Sequence, residues 1–381
     1  MSRSVRKIVK GIVYRVIRCC SSSNKIVFES APDFSDNTMA VFDEMLRRGI
    51  DQKYSMVWLV SDKTKRLPGR TSVQYIWLGN WFDRLRAMFF LVPAKCLICC
   101  NRFLTPLTDE QISFYLAHGT PIKSVRSYYT MPPKIQYCLS AAPGVEKMTA
   151  YQFNADESKM FSLGYPRNDV FAKKPMNVKG TLQTDCEKVI VWYPTFRQHI
   201  NGRKAGAPKA LPIIHDAESA QKLNACAREN GVLIVVKPHF AQDLREIKDQ
   251  KLSNIRFIDD SFFTEHRITS YEFVGGCDAL LTDYSSIYYD YTLCDKPIGV
   301  VWEDVEEYRK NPGFAVDLDK YLMGAEKIYT LKELERFVLD VSRDHDRLAE
   351  ARRKIRDLTN YSTDGQNAKR VVDFIVEKAK L

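Results

Sequence analysis

Apolar and polar positions alternate along the chain in blocks that predict strands and helices in turn. Short, nearly continuous apolar runs are typical of strands buried on both faces of a parallel sheet. In the first half such runs lie at 25–29, 55–60, 73–78, 95–100, 114–118, 136–141 and 160–163. Helical spacing of the apolar residues predicts helices at 36–48 and 81–91.

The same rhythm restarts in the second half. Strands are predicted at 189–193, 233–237, 255–258, 279–281 and 298–301, and helices at 216–230 and 285–293. Three closing helices are predicted at 331–341, 345–358 and 365–380. Residues 171–187 are rich in Lys, Pro, Gly and polar residues with weak periodicity, which predicts an interdomain linker.

This pattern predicts an α/β fold of two doubly wound, Rossmann-like domains facing each other across a cleft. A chain of 381 residues is also of a length that favours two domains. The predicted domains span 25–175 and 185–362, with a helix at 1–24 before them and a closing helix at 363–381. Ligands of such sheets bind at the carboxyl ends of the strands.

The first 24 residues predict a basic amphipathic helix. One helical face carries the apolar residues at 5, 8, 9, 12, 13, 16 and 17. Seven basic residues precede the first acid, Glu29, and they account for seven of the ten net positive charges of the chain. The pattern suits a helix in an anionic membrane interface, and also a helix packed on its own protein. The lack of any acid favours the membrane. The remaining charge, only +3, argues against nucleic-acid binding.

Composition, 45% hydrophobic and 27% charged, is that of a folded globular protein. Ten cysteines without regular spacing predict buried free thiols, and Cys96-x-x-Cys99 lacks the second pair that a zinc site needs. No apolar run has the length of a membrane span. Arg15 and Arg18 interrupt the apolar core that a signal peptide would require.

Polar side chains follow five of the predicted strands, where a ligand would bind. They include His118, Lys123, Arg167, Asn168, Asp169, Thr195, Arg197, Lys237, His239, Thr282, Asp283, Ser285 and Ser286. Together they predict an anion-binding cleft with two histidines that could transfer protons. Each also has a structural interpretation: helix caps, backbone-bonded imidazoles, or an ion pair between Arg197 and Asp283.

The segment Thr282-Asp283-Tyr284-Ser285-Ser286 is predicted to join a buried strand to a helix. The N–H groups of a helix start, with the two serine hydroxyls, would form a seat for phosphate. The same residues are also typical helix caps.

Five motifs occur in order: His118-Gly119-Thr120-Pro121-Ile122-Lys123, Gly164-Tyr165-Pro166-Arg167-Asn168-Asp169, Tyr193-Pro194-Thr195-Phe196-Arg197, Lys237-Pro238-His239 and Thr282-Asp283-Tyr284-Ser285-Ser286. The set resembles the CDP-glycerol glycerophosphotransferase family, which includes teichoic acid primases and polymerases. The resemblance implies a GT-B-type fold, a CDP-glycerol or CDP-ribitol donor and a polyprenyl-diphosphate-linked saccharide or polyol phosphate acceptor. It also implies peripheral attachment to the cytoplasmic face of the bacterial plasma membrane.

The sequence departs from the family pattern at a few positions. Ala117 precedes His-Gly-Thr where the family often has an aromatic residue, Phe240 follows His239 where Pro is usual, and Trp192 and Tyr193 replace a smaller pair. The reactive groups are intact. The identity of the alditol and of the acceptor is left open.

The resemblance also implies roles for the residues of the motifs. His118, from an acceptor-side first domain, is the expected general base, and His239 holds the donor diphosphate in a CDP-alditol-binding second domain. Charge balance and phosphate binding are expected from Thr195, Arg197, Lys237, Thr282, Ser285 and Ser286. Asp283 would orient His239 or Arg197. The other expected cleft residues are Gly119, Thr120, Lys123, Arg167, Asn168 and Asp169.

No metal or other cofactor is expected. Asp259-Asp260 superficially suggests a cation site, but no spaced Asp-x-Asp accompanies it. Two alternatives remain open. One is a GT-B glycosyltransferase that uses a nucleotide sugar, for which Glu303, Asp304, Glu306 and Glu307 could hold hydroxyl groups. The other is a non-catalytic, basic membrane adaptor.

Overall fold

A computed structural model of the chain describes residues 11–12, 15–16, 24–124, 126–127, 129–195, 211–238 and 244–381, with the backbone alone at 245–246. The chain divides into two compact units. The first unit comprises Met1–His118, Tyr129–Asp169 and Asp364–Leu381, and the second comprises Gly119–Tyr128 and Val170–Thr363. Most of the predicted helix at 1–24 lies outside the described residues. No described helix is long and apolar enough to cross a membrane.

The first unit is built on a parallel sheet of seven strands in the order β3-β2-β1-β4-β5-β6-β7. The strands are β1 Lys25–Glu29, β2 Ser55–Val60, β3 Gln74–Trp77, β4 Ala94–Cys99, β5 Ile112–Tyr115, β6 Tyr137–Ser140 and β7 Met160–Ser162. Three helices follow the strands of this part of the chain: α1 Asp36–Arg47, α2 Trp81–Leu91 and α3 Glu146–Gln152.

The sheet of the first unit is covered on both faces because successive side chains of a strand point to opposite sides. On one face Val27 packs with Val57 and Leu97. On the other, Phe28 lies 5.1 Å from the ring of Phe42, which α1 contributes. The continuous apolar runs of the sequence therefore correspond to strands buried on two sides, as predicted.

The second unit has a six-stranded parallel sheet in the order β10-β9-β8-β11-β12-β13. Its strands are β8 Lys188–Trp192, β9 Val232–Val236, β10 Ile255–Phe257, β11 Ala279–Thr282, β12 Ile298–Val301 and β13 Glu326–Ile328. Its helices are α4 Val178–Leu182, α5 Ala217–Glu229, α6 Arg245–Lys248, α7 Asp260–His266, α8 Ser270–Gly276, α9 Ile287–Tyr291, α10 Val305–Lys310, α11 Leu318–Tyr321, α12 Leu331–Ser342 and α13 Ala349–Thr359.

In both sheets the first strand is central, and the next two strands are added in order toward one edge. The chain then returns to the centre, and the later strands are added toward the opposite edge. This 3-2-1-4-5-6 order is that of a Rossmann-like sheet, and it creates a crevice where the direction of building reverses. The crevice lies between β1 and β4 in the first unit and between β8 and β11 in the second.

The final helix, α14 Asn367–Ala379, returns to the first unit. Phe374 stacks on Phe161 with ring centroids 4.4 Å apart and meets the edges of Tyr137 and Phe114. Val371 and Ile375 are fully buried. The helix therefore completes one face of the sheet over β5, β6 and β7.

Several elements differ from the predictions. The predicted linker 171–187 contains α4, and its Val178 and Leu182 are buried in the core of the second unit. The apolar residues of this segment are few and stand among Lys, Pro and Gly, so the helical pattern could not be recognised in the sequence. The helix predicted at 285–293 starts at Ile287, and the edge strand β13 was not predicted. The eight described cysteines are free, and five are buried, as expected for structural thiols.

Candidate active site

His118 lies just beyond the end of β5 in the first unit, with an exposed side chain. Its Nδ1 is 3.2 Å from the carbonyl oxygen of Cys100, the residue after β4, and 3.4 Å from the hydroxyl of Tyr115. A carbonyl oxygen only accepts hydrogen bonds, so Nδ1 carries the proton of the neutral ring. The basic lone pair is then on Nε2, the atom that a general base needs.

The backbone of the turn that carries His118 is fixed by two residues. Asn37, fully buried at the start of α1, donates from Nδ2 to the carbonyls of Leu116 and Ala117, each at 3.1 Å. Arg167 donates from Nη1 to the carbonyl of His118 at 2.9 Å and to Asp36 at 2.8 Å. The turn needs this support because Ala117 has a φ of 50°, which is unfavourable for a residue with a side chain.

Arg167 was predicted to line the cleft, and it bonds to Asp36 and to the carbonyl of His118 in the first unit. Besides the two bonds of its guanidinium, its backbone N–H donates to Asn37 at 3.2 Å. Asn37 and Asp36 were not among the predicted site residues. Asp36 and Asn37 open a helix, so in the sequence they looked like ordinary capping residues.

Asp169 has a structural function in the first unit. Its two carboxylate oxygens accept the N–H groups of Asn367 and Ala368 at 2.8 Å, at the start of α14. Burial raises the pKa of Asp169, and these two bonds oppose the effect. Asp169 thus caps a helix that is almost 200 residues away in sequence, whereas the capping interpretation assumed a local helix after the proline turn. The neighbouring Asn168 is buried.

The His118-Gly119-Thr120 motif is divided between the units, since the chain enters the second unit directly after His118. Thr120 is buried, and its hydroxyl has no hydrogen-bond partner among the described residues. Lys123 forms a single antiparallel bridge with Phe314, and the carbonyl of Ile122 accepts the N–H of Ala315. The segment after the histidine is therefore anchored by its backbone in the second unit.

In the second unit, two of the predicted donor-site residues, Thr195 and Asp283, meet at the crevice between β8 and β11. Asp283 follows β11 and is fully buried; its carboxylate accepts the N–H of Thr195 at 2.8 Å, the hydroxyl of Thr195, and the N–H of Tyr284 at 2.7 Å. Thr195 follows β8. Asp283 therefore orients Thr195; the partners predicted for it from the sequence, His239 and Arg197, lie outside the described residues.

Thr282 and Lys237 are also engaged within the second unit. The hydroxyl of Thr282 donates to the carbonyl of Tyr193 at 3.0 Å and is buried. Lys237, after β9, lies 3.0 Å from Asp260 and about 6 Å from the ring centre of Tyr193. Its partner is 84% exposed, so solvent weakens this ion pair and the ammonium group can still respond to an anion.

Ser285 and Ser286 occupy the turn between β11 and α9. Their carbonyls accept the N–H groups of Tyr288 and Tyr289, but the Ser286 side chain makes no capping bond. The helix that follows has only five residues before a 3-10 turn. Any phosphate bound here would thus be held mainly by hydroxyl and turn N–H groups, because so short a helix has a weak dipole. Arg197 and His239 lie outside the described residues.

Sequence reasoning missed a histidine of the second unit. His215 Nε2 contacts Glu303, whose other oxygen accepts the N–H of Ile213 at 2.9 Å. Asp304 accepts the hydroxyl of Tyr284 at 2.9 Å. His215 does not follow a strand, so attention to strand ends could not find it. Among the described residues, no group of three or more His, Cys, Asp or Glu side chains is arranged to bind a metal ion.

Two Rossmann-like sheets with polar groups at their strand ends define a GT-B-type fold. The family model for CDP-glycerol:poly(glycerophosphate) glycerophosphotransferases matches residues 12–377, and the chain belongs to that family. The predicted family and fold class are confirmed.

Two curated relatives illustrate the likeness. The teichoic acid poly(glycerol phosphate) polymerase of Bacillus spizizenii is 26% identical over 355 residues, which cover 84% of this chain and 85% of that protein. The teichoic acid glycerol-phosphate transferase of Staphylococcus aureus is 22% identical over 363 residues, covering 85% and 86%.

Solved structures share the fold. The wall teichoic acid polymerase TagF superposes with a TM-score of 0.72 at 20% identity, covering 99% of this chain and 96% of that one. The S. aureus MnaA–UDP structure gives a TM-score of 0.55 at 14% identity, covering 94% and 97%. At these identities, the likeness concerns the fold alone.

Proposed function

We propose that this protein transfers glycerol phosphate, or another alditol phosphate, from a CDP-alditol to a hydroxyl group of an acceptor and releases CMP. The process served is the synthesis of teichoic acid or a similar cell-surface polymer. Family membership supports the reaction class. The observation that carries the proposal is the imidazole of His118, held by Cys100 so that Nε2 is its basic atom.

The chemistry needs one proton acceptor and positive charge near the diphosphate. The acceptor oxygen attacks the phosphorus that bears the alditol, His118 Nε2 takes the hydroxyl proton, and the bond to the bridging oxygen breaks as CMP leaves. Lys237, with Arg197 and His239 of the same motifs, would balance the charge. The hydroxyls of Thr195, Ser285 and Ser286 would bind phosphate oxygens.

The assay of choice offers the purified protein CDP-glycerol, CDP-ribitol and several UDP-sugars together with a synthetic acceptor. We expect release of CMP and no release of UDP, and the ratio of the two CDP donors identifies the alditol. Release of UDP alone would instead establish a nucleotide-sugar glycosyltransferase. Two carboxylates that such an enzyme could use, Glu303 and Asp304, already bind groups of the second unit.

The positive side chains of the motifs lead us to propose a reaction without a metal cofactor. Excess EDTA should leave CMP release unchanged. Loss of activity in EDTA, restored by adding Mg²⁺ or Mn²⁺, would contradict this part of the proposal.

The acceptor is proposed to be a polyprenyl-diphosphate-linked saccharide or polyol phosphate at the cytoplasmic face of the bacterial plasma membrane. The basic residues at 1–24 support this location, as do the exposed apolar side chains of Ile12 and Val16, each 58% exposed. Deleting residues 1–20 should weaken binding to anionic liposomes and spare the reaction with a soluble acceptor analogue. Unchanged liposome binding would show that residues 1–24, called the leader below, do not have this function.

A further inference from the structure

Helix α2 of the first unit has one face on the sheet and one uncovered apolar face. Ala87 is fully buried against the sheet. On the outer side Phe82 is 73% exposed and Phe89 is 54% exposed. With Leu85 and Arg86 they follow the i, i+3, i+4, i+7 spacing of one helical face. These four residues are called the α2 face below.

Two large exposed phenylalanines on one helix need an explanation, because apolar side chains of this size are normally buried. The helix itself is well defined: Asn80 caps it in a reciprocal capping box with Asp83. The exposure is therefore not that of a poorly formed segment. The Trp81 ring lies 5.0 Å from that of Phe82 and extends the aromatic surface.

Positive charge adjoins this apolar surface. Arg86, a member of the α2 face, is exposed. The loop at 61–72, which follows β2, is exposed and carries Lys63, Lys65, Arg66 and Arg70 against the single acid Asp62. Because β2 and β3 are parallel neighbours, this loop and the start of α2, which follows β3, lie at the same edge of the sheet.

The charge decides which partner fits. A partner for this surface should combine an apolar layer with negative charge, as the interface of an anionic bilayer does. The leader cannot supply the negative charge, since no acid precedes Glu29. The leader also joins the unit near this helix: Lys25, where β1 begins, pairs with Ala94, three residues after the end of α2.

We propose that the α2 face inserts into the headgroup region of an anionic lipid bilayer and gives the folded first unit its own membrane contact, independent of the leader. The two phenylalanines enter the interface, while Arg86 and the 61–72 loop contact lipid phosphates. The physiological purpose rests on the proposed function, because the expected acceptor is itself a lipid. The binding does not depend on the reaction.

The test uses sedimentation with vesicles of phosphatidylglycerol and phosphatidylcholine, and of phosphatidylcholine alone. Four proteins are compared: the full chain, the chain without residues 1–20, the double variant Phe82→Ser/Phe89→Ser, and the combination. We expect the double variant to bind anionic vesicles about 10- to 100-fold more weakly in either background. The variant Tyr329→Ser/Tyr361→Ser, altered at exposed aromatics of the second unit, should bind normally.

Fluorescence gives a second readout. Brominated anionic lipid should quench the emission of the full chain, and most of that quenching should disappear in Trp81→Phe. Thermal unfolding should be the same in the double variant and the full chain, because the altered residues are exposed. Vesicle binding that survives the double substitution in the chain without residues 1–20 would overturn the proposal.

The remaining outcomes distinguish the α2 face proposal from its alternatives. If the leader covered the α2 face, deleting residues 1–20 would increase vesicle binding, and the double substitution would have no effect in the full chain. Equal binding to uncharged vesicles would show that charge does not select the partner. CMP release with a soluble acceptor, measured on the same proteins, separates the two ideas: activity without vesicle binding rejects only the α2 face, and vesicle binding without activity rejects only the proposed function.

Discussion

At the scale of single residues, the arrangement around His118 shows how a hydrogen bond can determine which nitrogen of a histidine acts as the base. A histidine in solution exchanges its proton between two nitrogens. Here the carbonyl of Cys100 lies 3.2 Å from Nδ1 and selects one tautomer. Burial raises the pKa of Tyr115 far above its usual value, so the hydroxyl beside that nitrogen stays protonated.

Replacing His118 with Ala should therefore remove the proton acceptor and leave the fold intact, since the ring is exposed. We expect CMP release to fall by a factor of about 10² to 10⁴, which is the usual contribution of a general base. The midpoint of thermal unfolding should change little. A non-catalytic membrane adaptor would keep its whole function in this variant, and that result would contradict the proposed enzyme.

Asn37 is expected to position the turn of His118 without touching substrate. In Asn37→Ala the carbonyls of Leu116 and Ala117 lose their donor, and a shift of the turn should lower turnover about 10- to 100-fold. Asn224→Ala is the matched control, because Asn224 of the second unit is also a buried asparagine whose side chain bonds to the backbone: its Oδ1 accepts the N–H of Asn254. Equal losses of turnover per folded molecule in both variants would show that Asn37 affects stability alone.

Sequence reasoning found residues of the site better than it found their partners. Strand-end position identified Thr195 and Asp283, but only the structure shows that they bind each other across β8 and β11. Asp169 was recognised as a possible helix cap, but the sequence did not show which helix it caps. Contacts between residues 88 and 198 positions apart depend on the tertiary fold, and the local sequence pattern has no information about them.

At the scale of elements, α1 and α14 are joined by a chain of charges. Glu44 accepts two bonds from Arg47 and one from Arg48, and Arg48 also reaches Asp373 at 2.6 Å and the carbonyl of Lys369 on α14. Hydrogen bonding to Arg47 and Arg48 lowers the pKa of Glu44. Glu44 thus favours the folded state only when it is ionised.

This linkage predicts a pH dependence of stability. A lowered pKa contributes stability above the pKa of an unfolded glutamate, about 4.3, and the contribution is lost as the pH falls through the folded value. The difference in unfolding temperature between the wild type and Glu44→Gln should be a few degrees at most near pH 7, because the pairs are partly exposed. It should vanish well below pH 4. A difference that grew toward acid pH would contradict the assignment.

The elements themselves were predictable where their apolar pattern was clear. The bounds of β1, β2, β12 and α2 agree with the apolar runs residue for residue. Short elements escaped: β13 has three residues, and α10 and α11 have six and four. Elements as short as β12 were recognised because they are continuous apolar runs, whereas half or more of the residues in β13, α10 and α11 are charged and form no such run.

At the scale of the whole molecule, sequence order and spatial order differ. The predicted boundaries lay within 171–187 and at 362–363, whereas the chain passes between the units after His118, between Tyr128 and Tyr129, after Asp169 and after Thr363. The last passage agrees with the predicted boundary at 362–363. Two of these four passages adjoin residues of the motifs. A linear division into domains could not anticipate this, because it assumes that neighbours in sequence belong together.

Removing residues 364–381 should therefore damage the first unit and not the second. The deletion exposes the apolar face that Phe374, Val371 and Ile375 cover. Limited proteolysis followed by mass spectrometry should show early cleavage within 25–169, with 170–363 comparatively resistant. Early cleavage confined to the second unit would disprove this assignment of α14.

The late position of α14 has a consequence for biosynthesis. A ribosome completes β7 at Ser162 and must translate the whole second unit before it delivers Phe374. During that interval Phe161, Tyr137 and Phe114 lack their cover, so the nascent first unit presents an aromatic surface on which chaperones can act. The second unit has no such delay: its strands and helices emerge consecutively and can fold first, although they are made later.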